Sequence, residues 1–518
     1  MGIFGKTSPR RSQVRRNIPF DRFRRISRFV NRDNLLSALI WVVFVVLCAA
    51  VLSFEFDARP LYRRLILTTV LAVLVCAVGF LYVGQYQKRL IKNHSKAGAL
   101  AALFILLLVA TKLVALLFGH TCGATGAAVT AAIILSLSYD RRFTMGVCVL
   151  FGILAVFAVG SQQAGQLSNI NLLLTMLAGV VTCCFSLDEI RTRTKLLKVS
   201  AGAATTVFLT ATTVGLLGEG DKSLDVLSSA GYHAGITFLV GLLIQSLLPL
   251  IEKAFRVATS MTLLDYSDAN QPLLRRLAME APGTFSHSLL LGSIAEAAAE
   301  AISRNGLLCR VGAYYHDIGK VNKPGYFAEN EMGSTSRHKE LSPAMSQLII
   351  VGHVKDGIEM AKEYALPTVL HQFIETHHGT TLIEHFYHEA QKQRAKKSKS
   401  KMPAEPPTES EFRYPGPKPR TKEAAIVMLA DTVEGAVRSL PEITPTKIEA
   451  VVHNMAMKRL QDGQFDECEI SLRELSQIEA SISKTLAAHY HGRIAYPLRP
   501  DIPASEQTGA DESGGKNG

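Results

Sequence analysis

Seven side chains in the C-terminal half are of the types that hold metal ions: His287, the adjacent pair His316-Asp317, His353, the adjacent pair His377-His378, and Asp431. Imidazole and carboxylate donors without a thiolate suit iron, manganese or a similar divalent cation. A lone histidine pair would mean little, since histidines in helical proteins are usually surface or core residues. The spacing here is more informative. Asp317 directly follows His316, so one carboxylate could bridge two metals while its neighbour binds one. His377 and His378 could approach the second metal from adjacent positions at a helix end. Asp431 lies inside the apolar run Ala424–Val437, where an unpaired carboxylate is costly and a metal partner accounts for it.

The elements that must position these groups read as helices. From His287 an apolar stripe runs through Leu291, Ile294, Ala298 and Ile302 in an Ala- and Glu-rich stretch. Residues 361–374 and 421–440 also read as helical, as does the linker 260–277. Strand-like alternation is scarce, so the expected fold class is all-α. Residues 391–411, basic and then Pro-rich, read as a flexible insertion. Its lysine run is better explained as a solvated loop than as a nucleic-acid site, and residues 499–518 read as a disordered tail.

The N-terminal half is of another kind. Apolar runs dominate from Leu35 to Ile251, and all but three of the 15 histidines come later. A spanning helix needs about 20 mostly apolar residues. Candidates are 35–54, 65–84, 97–119, 121–138, 143–160, 170–187, 199–218 and 234–251, about eight in all. Several are rich in Gly, Ala and Thr, which lets helices approach closely in lipid. Basic residues fill the N-terminal tail and alternate loops (Lys88, Arg89, Lys92; Arg141, Arg142; Arg191, Arg193, Lys195), while the intervening loops, apart from the first, are nearly free of them. This alternation predicts both termini on the cytoplasmic side. The first span is too long for a cleaved signal peptide. The net charge of +12 therefore has a membrane explanation, and no nucleic-acid polymer is expected as a partner. Lys112 falls within a span, in its outer third, and is expected to snorkel. The eight cysteines form no CxxC with a partner pair, so neither a zinc ribbon nor a disulfide framework is indicated.

The H…HD…D order of His287, His316-Asp317 and Asp431 resembles the signature of the HD phosphohydrolase superfamily, and His353 and His377-His378 match the added ligands of its binuclear members. The phrases APGTFSHS, RVGAYYHDIGK, HVKDG, ETHHGT, FRYPGPKP and IVMLADTVEGAVRSL are similar to the membrane-anchored HD family of the PgpH type, which has a seven-helix membrane module and acts on cyclic di-AMP. The resemblance is most specific over 281–440. It implies a multi-spanning helical membrane domain (35–251) behind a basic tail (1–34), a linker (252–280) and an all-helical cytoplasmic HD domain (281–498). It also implies two divalent metals, manganese or iron. His287, His316, Asp317 and Asp431 would hold one; Asp317, His353, His377 and His378 would hold the other. The implied reaction opens cyclic di-AMP to linear pApA at the inner face of a bacterial cytoplasmic membrane. Asp317 and Lys320 are the implied catalytic pair, with Lys320 placed to stabilise transition-state charge. Arg413 and Lys418, in the FRYPGPKP loop, are candidates for contacting the second phosphate. The family's large external domain after the first span is replaced here by residues 55–64, so the likeness does not extend to an outside sensor.

Two alternatives stand beside this reading. Binuclear HD enzymes of the HD-GYP type act on cyclic di-GMP, but their Gly-Tyr-Pro element is absent where the paired histidines continue as Gly379-Thr380-Thr381. A membrane receptor that merely binds a nucleotide would be expected to have lost one or more ligand positions, and all seven are filled. Self-association is left open.

Overall fold

A computed structural model describes residues 32–54, 61–87, 90, 93–159, 166–187, 192–217, 223–255, 257–331, 336–398 and 407–491. The basic tail, most of the first outer loop and the 499–518 tail lie outside the described residues. The described residues are helical, with no strand among them and one isolated antiparallel bridge, Leu382 to Arg413. The chain divides into two compact units.

The first unit contains α1 (Arg32–Ser53), α2 (Leu61–Tyr86), α3 (His94–Phe118), α4 (Cys122–Ser138), α5 (Arg141–Val159), α6 (Gln166–Ser186), α7 (Arg193–Leu216) and α8 (Ser223–Phe255). All of these except α4 are long and apolar enough to cross a membrane, seven among the described residues, and the chain is a multi-pass membrane protein. Helix α4 has 17 residues, about 25 Å at 1.5 Å per residue. Its composition explains where it sits. Rich in Ala, Gly and Thr, it is thin enough to be enclosed on nearly every face, with Ala128, Val129, Ala131, Ala132 and Ile133 at 0 % exposure.

Small residues set the helix separations in this unit. A Cβ on Gly126 would lie 3.0 Å from Ile236 of α8, and one on Gly241 would overlap the Ser200 hydroxyl of α7 at 1.9 Å. Several threonine hydroxyls are satisfied within their own helices: Thr111 donates to the Leu107 carbonyl and Thr237 to that of His233. Lys112 does not snorkel. At 4 % exposure it is enclosed by the bundle.

The linker is not one helix. It forms α9 (Ser260–Tyr266) and α10 (Pro272–Glu280), interrupted by a turn in which Ser267 N–H donates to the Leu263 carbonyl and Gln271 N–H to that of Asp268. Pro272 cannot donate to a preceding turn, so a new helix starts there.

The second unit is built on α11 (Pro282–Ala301) and α12 (Gly306–Tyr315), which pair as a hairpin, with α16 (Lys422–Arg438) and α18 (Leu472–His491) packed on α11. The anticipated stripe is the core face of α11: Leu291, Ile294 and Ala298 are fully buried, whereas Ile302 caps the helix end. Facing them, Val311, Ile426, Val427, Val433, Ile482 and Leu486 complete the core. Between these lie α13 (Pro343–Glu363), α14 (Thr368–Thr376) and α15 (Glu384–Ser398); α17 (Pro445–Gln461) packs against α16 and α18.

Two boundaries differ from expectation. The helix anticipated over 361–374 is divided between α13 and α14, because Ala365 takes a left-handed φ of 52° and Pro367 follows. The anticipated insertion at 391–411 begins as the last turns of α15 and ends in a 3-10 turn at Glu409–Phe412 closed by a Thr408–Glu411 capping box.

Candidate metal centre

Five elements deliver the seven anticipated ligands to one place. Helix α11 carries His287, the end of α12 and the 3-10 turn Ile318–Asn322 hold His316 and Asp317, and α13 carries His353. His377 and His378 follow α14, and Asp431 lies in the middle of α16. Asp317 is at the centre. Its Oδ2 lies 3.0 Å from His316 Nε2, and its Oδ1 lies 3.3 Å from His353 Nε2 and 3.4 Å from His377 Nε2. The ligand atoms of Asp317, His353, His377 and His378 fall within 4.8 Å of one another, as do those of His287, His316 and Asp317. Asp431 joins the second group through Oδ1, 3.1 Å from His287 Nε2 and 3.8 Å from His316 Nε2.

Two glycines make this convergence sterically feasible. A Cβ on Gly319 would lie 1.9 Å from the His353 carbonyl, so the turn after Asp317 crosses α13 closely only with glycine there. Gly379 takes φ 51° directly after His378, and a Cβ would meet Gln464 Oε1 at 2.4 Å.

The rings are oriented from behind. His316 Nδ1 donates to the Ala313 carbonyl at 2.7 Å, and His353 Nδ1 to that of Ile350 at 2.5 Å. His377 Nδ1 is shared between the carbonyls of Phe373 and Ile374, both at 3.0 Å. With Nδ1 bonded to these carbonyls, each ring turns its Nε2 toward the centre. The Nε2 atoms of His353 and His377 are 3.1 Å apart, with Asp317 Oδ1 against both. Two imidazole nitrogens and a carboxylate oxygen directed into one buried space make a donor set for a cation. His316 Nε2 and Asp317 Oδ1 are buried and complete no hydrogen bond among the described residues. This donor set fits divalent metal on both sides of Asp317.

The electrostatics agree. Burial opposes ionisation of Asp317, but His316 and Lys320 outweigh it and hold its carboxyl well below the usual range. Burial, with His377 and Lys320, pushes His353 down to about 3 against the pull of Asp317. His378 is lowered too, by burial and then by its two histidine neighbours. His287 goes the other way: despite burial, Asp431 and Glu434 raise it to about 10.

The three cations anticipated as catalytic or substrate-binding groups are not free. Lys320 Nζ lies 2.7 Å from Asp317 Oδ2 and 2.7 Å from Glu329 Oε1, over the ring of Phe327. It balances the charge of the central carboxylate. Arg413 donates to Asp462, Glu409 and the Thr380 carbonyl, and Lys418 to the Gly463 carbonyl and Asp466. In this structure both hold the FRYPGPKP loop in place through these protein acceptors.

Four contributors were missed. Glu434, one turn after Asp431 and 2 % exposed, places Oε2 2.7 Å from His287 Nδ1; a second carboxylate at i+3 in an apolar run was the available signal. Glu329 holds Lys320 and accepts from Thr284, while Asn330 accepts from the Gly283 and Thr284 amides at the start of α11. Tyr414 stacks on His378. A cavity of about 370 Å³ borders the cluster, lined by Lys320, Tyr326, Phe327, Glu329, His338, His353, His378, Phe386 and Tyr414 among others. Aromatic walls beside a metal-ligand set suit a substrate with a planar ring and an anionic group.

An all-helical unit whose histidines and aspartates follow this order has the arrangement of an HD domain. Residues 284–436 match the HD domain family model, and residues 62–259 match the model described as a 7TM receptor with intracellular HD hydrolase. Among curated proteins, the chain is 45 % identical over 260 residues to the cyclic-di-AMP phosphodiesterase PgpH of Bacillus subtilis (strain 168), which is 50 % of this chain and 35 % of that protein. It is 41 % identical over 260 residues to the protein of the same name from Listeria monocytogenes serotype 1/2a (strain 10403S), 50 % of this chain and 34 % of that one. The matched region thus spans about a third of these relatives' length. The crystal structure of the L. monocytogenes PgpH HD domain is 42 % identical, with a TM-score of 0.39, covering 43 % of this chain and 100 % of that chain.

Proposed function

We propose that this protein is a two-metal phosphodiesterase that hydrolyses cyclic di-AMP to linear pApA at the cytoplasmic face of a bacterial inner membrane. The observation that carries the chemistry is the convergence of the His353 and His377 Nε2 atoms on Asp317 Oδ1 in one buried space, a donor set suited to a divalent cation. The substrate assignment is supported by the activity named for the B. subtilis and L. monocytogenes relatives.

In this reading His287, His316, Asp317 and Asp431 hold one divalent ion, and Asp317, His353, His377 and His378 hold the other. The ions, manganese or iron, supply an activated water and neutralise phosphoryl charge. The chain's own residues do the rest. Carbonyls of Ala313, Ile350, Phe373 and Ile374 fix three rings with Nε2 inward. Lys320 keeps Asp317 ionised and oriented, and Glu329 keeps Lys320 in place. Tyr326, Phe327, Phe386 and Tyr414 wall the cavity where a nucleotide would sit. The membrane helices, eight with α4 included, would hold the enzyme at the bilayer with both termini cytoplasmic.

Product analysis tests this. The full-length protein in detergent, loaded with manganese and given cyclic di-AMP, is expected to accumulate pApA and to stop when the metal is chelated. Cleavage of a different nucleotide with cyclic di-AMP untouched would remove the substrate assignment and leave the HD chemistry standing.

A further inference from the structure

Tyr414 is placed as nothing purely structural requires. The segment around it is tied to the histidine-pair loop from both sides. Ile383 N–H donates to the Phe412 carbonyl at 2.9 Å, and Tyr414 N–H donates to the Thr381 carbonyl at 3.0 Å. Between these two bonds, Arg413 pairs with Leu382 across the isolated bridge, and its guanidinium donates to the Thr380 carbonyl at 2.9 Å. The backbone position of Tyr414 is therefore set by the same strip of chain that sets His377 and His378.

Its ring lies on that of His378, with centroids 4.3 Å apart and planes 27° from parallel, and meets His353 edge-on at 6.5 Å. The side chain lines the cavity beside the cluster while only 9 % of the residue is exposed. The hydroxyl is not one of the buried polar atoms without a partner; it meets the cavity space and makes no hydrogen bond to any described residue. Stacking alone would be served as well by phenylalanine, so the hydroxyl is a donor left available to a molecule in the cavity.

We propose that Tyr414 is a substrate-contacting residue whose hydroxyl donates a hydrogen bond to a phosphoryl oxygen of the phosphodiester held at the metal pair. No proton is transferred in this role; the hydroxyl is a fixed donor aimed where charge accumulates. It lies on the same loop as Arg413 and Lys418, whose side chains bond to protein acceptors. The inference rests on the phosphodiesterase reading for the identity of the diester, but not for the contact to phosphate.

The test uses the full-length protein loaded with manganese, comparing wild type with Tyr414→Phe, which keeps the ring and its stacking. Two quantities are read: the Kd for inorganic phosphate by calorimetry, and kcat/KM for cyclic di-AMP. The expected result is unchanged manganese content, phosphate binding roughly 10-fold weaker, and kcat/KM lower by roughly 100-fold, as for loss of one donor to a transition-state oxygen. Equal phosphate affinity and equal kcat/KM in the two proteins would overturn the inference and leave the proposed activity intact. Weaker phosphate binding in Tyr414→Phe, with no diester cleaved by the wild type, would support the contact and overturn the proposed activity. Tyr414→Ala separates ring from hydroxyl: if it loses manganese while Tyr414→Phe retains it, the ring supports His378 and the hydroxyl serves the substrate. If Tyr414→Phe itself loses manganese, the hydroxyl acts on the metal site and the inference is wrong.

Discussion

Removing the carboxylate of Asp317 perturbs both metal sites and the charge balance around them, and the two effects can be measured apart. In the metal-free protein, Asp317→Ala takes from Lys320 one of its two partners at 2.7 Å. Breaking a buried ion pair costs about 3–5 kcal/mol when the surviving charge is stranded. Lys320 is not stranded, because Glu329 remains at 2.7 Å. This lowers the cost to about 2–3 kcal/mol, which in a unit of this size shifts Tm downward by about 4–12 °C. A local reporter is available: Cys309 on α12 is fully buried, so its labelling by a thiol reagent during a thermal ramp, read by mass spectrometry, follows opening of the HD unit. In the metal-loaded protein the same substitution removes the shared ligand, and elemental analysis is expected to fall from about two metals per chain to near none. Occupancy near two in Asp317→Ala would refute the bridging role. An unchanged labelling midpoint would refute the charge argument.

Other consequences are smaller. Lys320→Ala is expected to retain both metals while lowering turnover, which elemental analysis and initial rates together check. Arg413→Ala should lower the stability of the HD unit by about 1–3 kcal/mol through loss of charge-assisted bonds to Asp462 and the Thr380 carbonyl, seen as an earlier Cys309 labelling midpoint. Glu474, with Lys422 as its main partner and supported by Ser471, is held down to about 2. A lowered carboxylate contributes stability above its unfolded value of about 4.3, and that contribution is lost as pH falls toward 2. Glu474→Gln should therefore lose less stability than wild type over that window, and an identical acid profile would argue against the pair. Reporter fusions after Arg16, Lys92, Arg193 and Ser260 should all give a cytoplasmic signal, and an external signal after Ser260 would overturn the assigned orientation.

The convergence of the seven side chains was legible from their types and order along the chain, and the structure brings them to one place. The apolar stripe of α11 and the membrane helices were legible for a similar reason, since periodicity and run length follow directly from which faces avoid water. The partners of the cations were not. Asp462 and Asp466 lie more than forty residues from Arg413 and Lys418, and no local pattern says that these charges are neutralised within the fold. Lys112 was misjudged because a span's outer third allows snorkelling, while helix packing decides whether the side chain can leave the bundle. The linker looked continuous because Ser260–Leu277 has helical composition, yet Pro272 lacks the amide that would carry one helix through it. Tyr414 was hidden inside a phrase whose basic residues drew the attention.

The most direct test of the account is a matched hydrolysis experiment on the full-length protein carrying two manganese ions per chain. Cyclic di-AMP and cyclic di-GMP are supplied at equal concentration and the products separated chromatographically. The account predicts that cyclic di-AMP is consumed first, with linear pApA accumulating, and that a chelator halts the reaction until manganese is restored. Failure of the metal-loaded protein to cleave either dinucleotide, or preferential consumption of cyclic di-GMP, would contradict it.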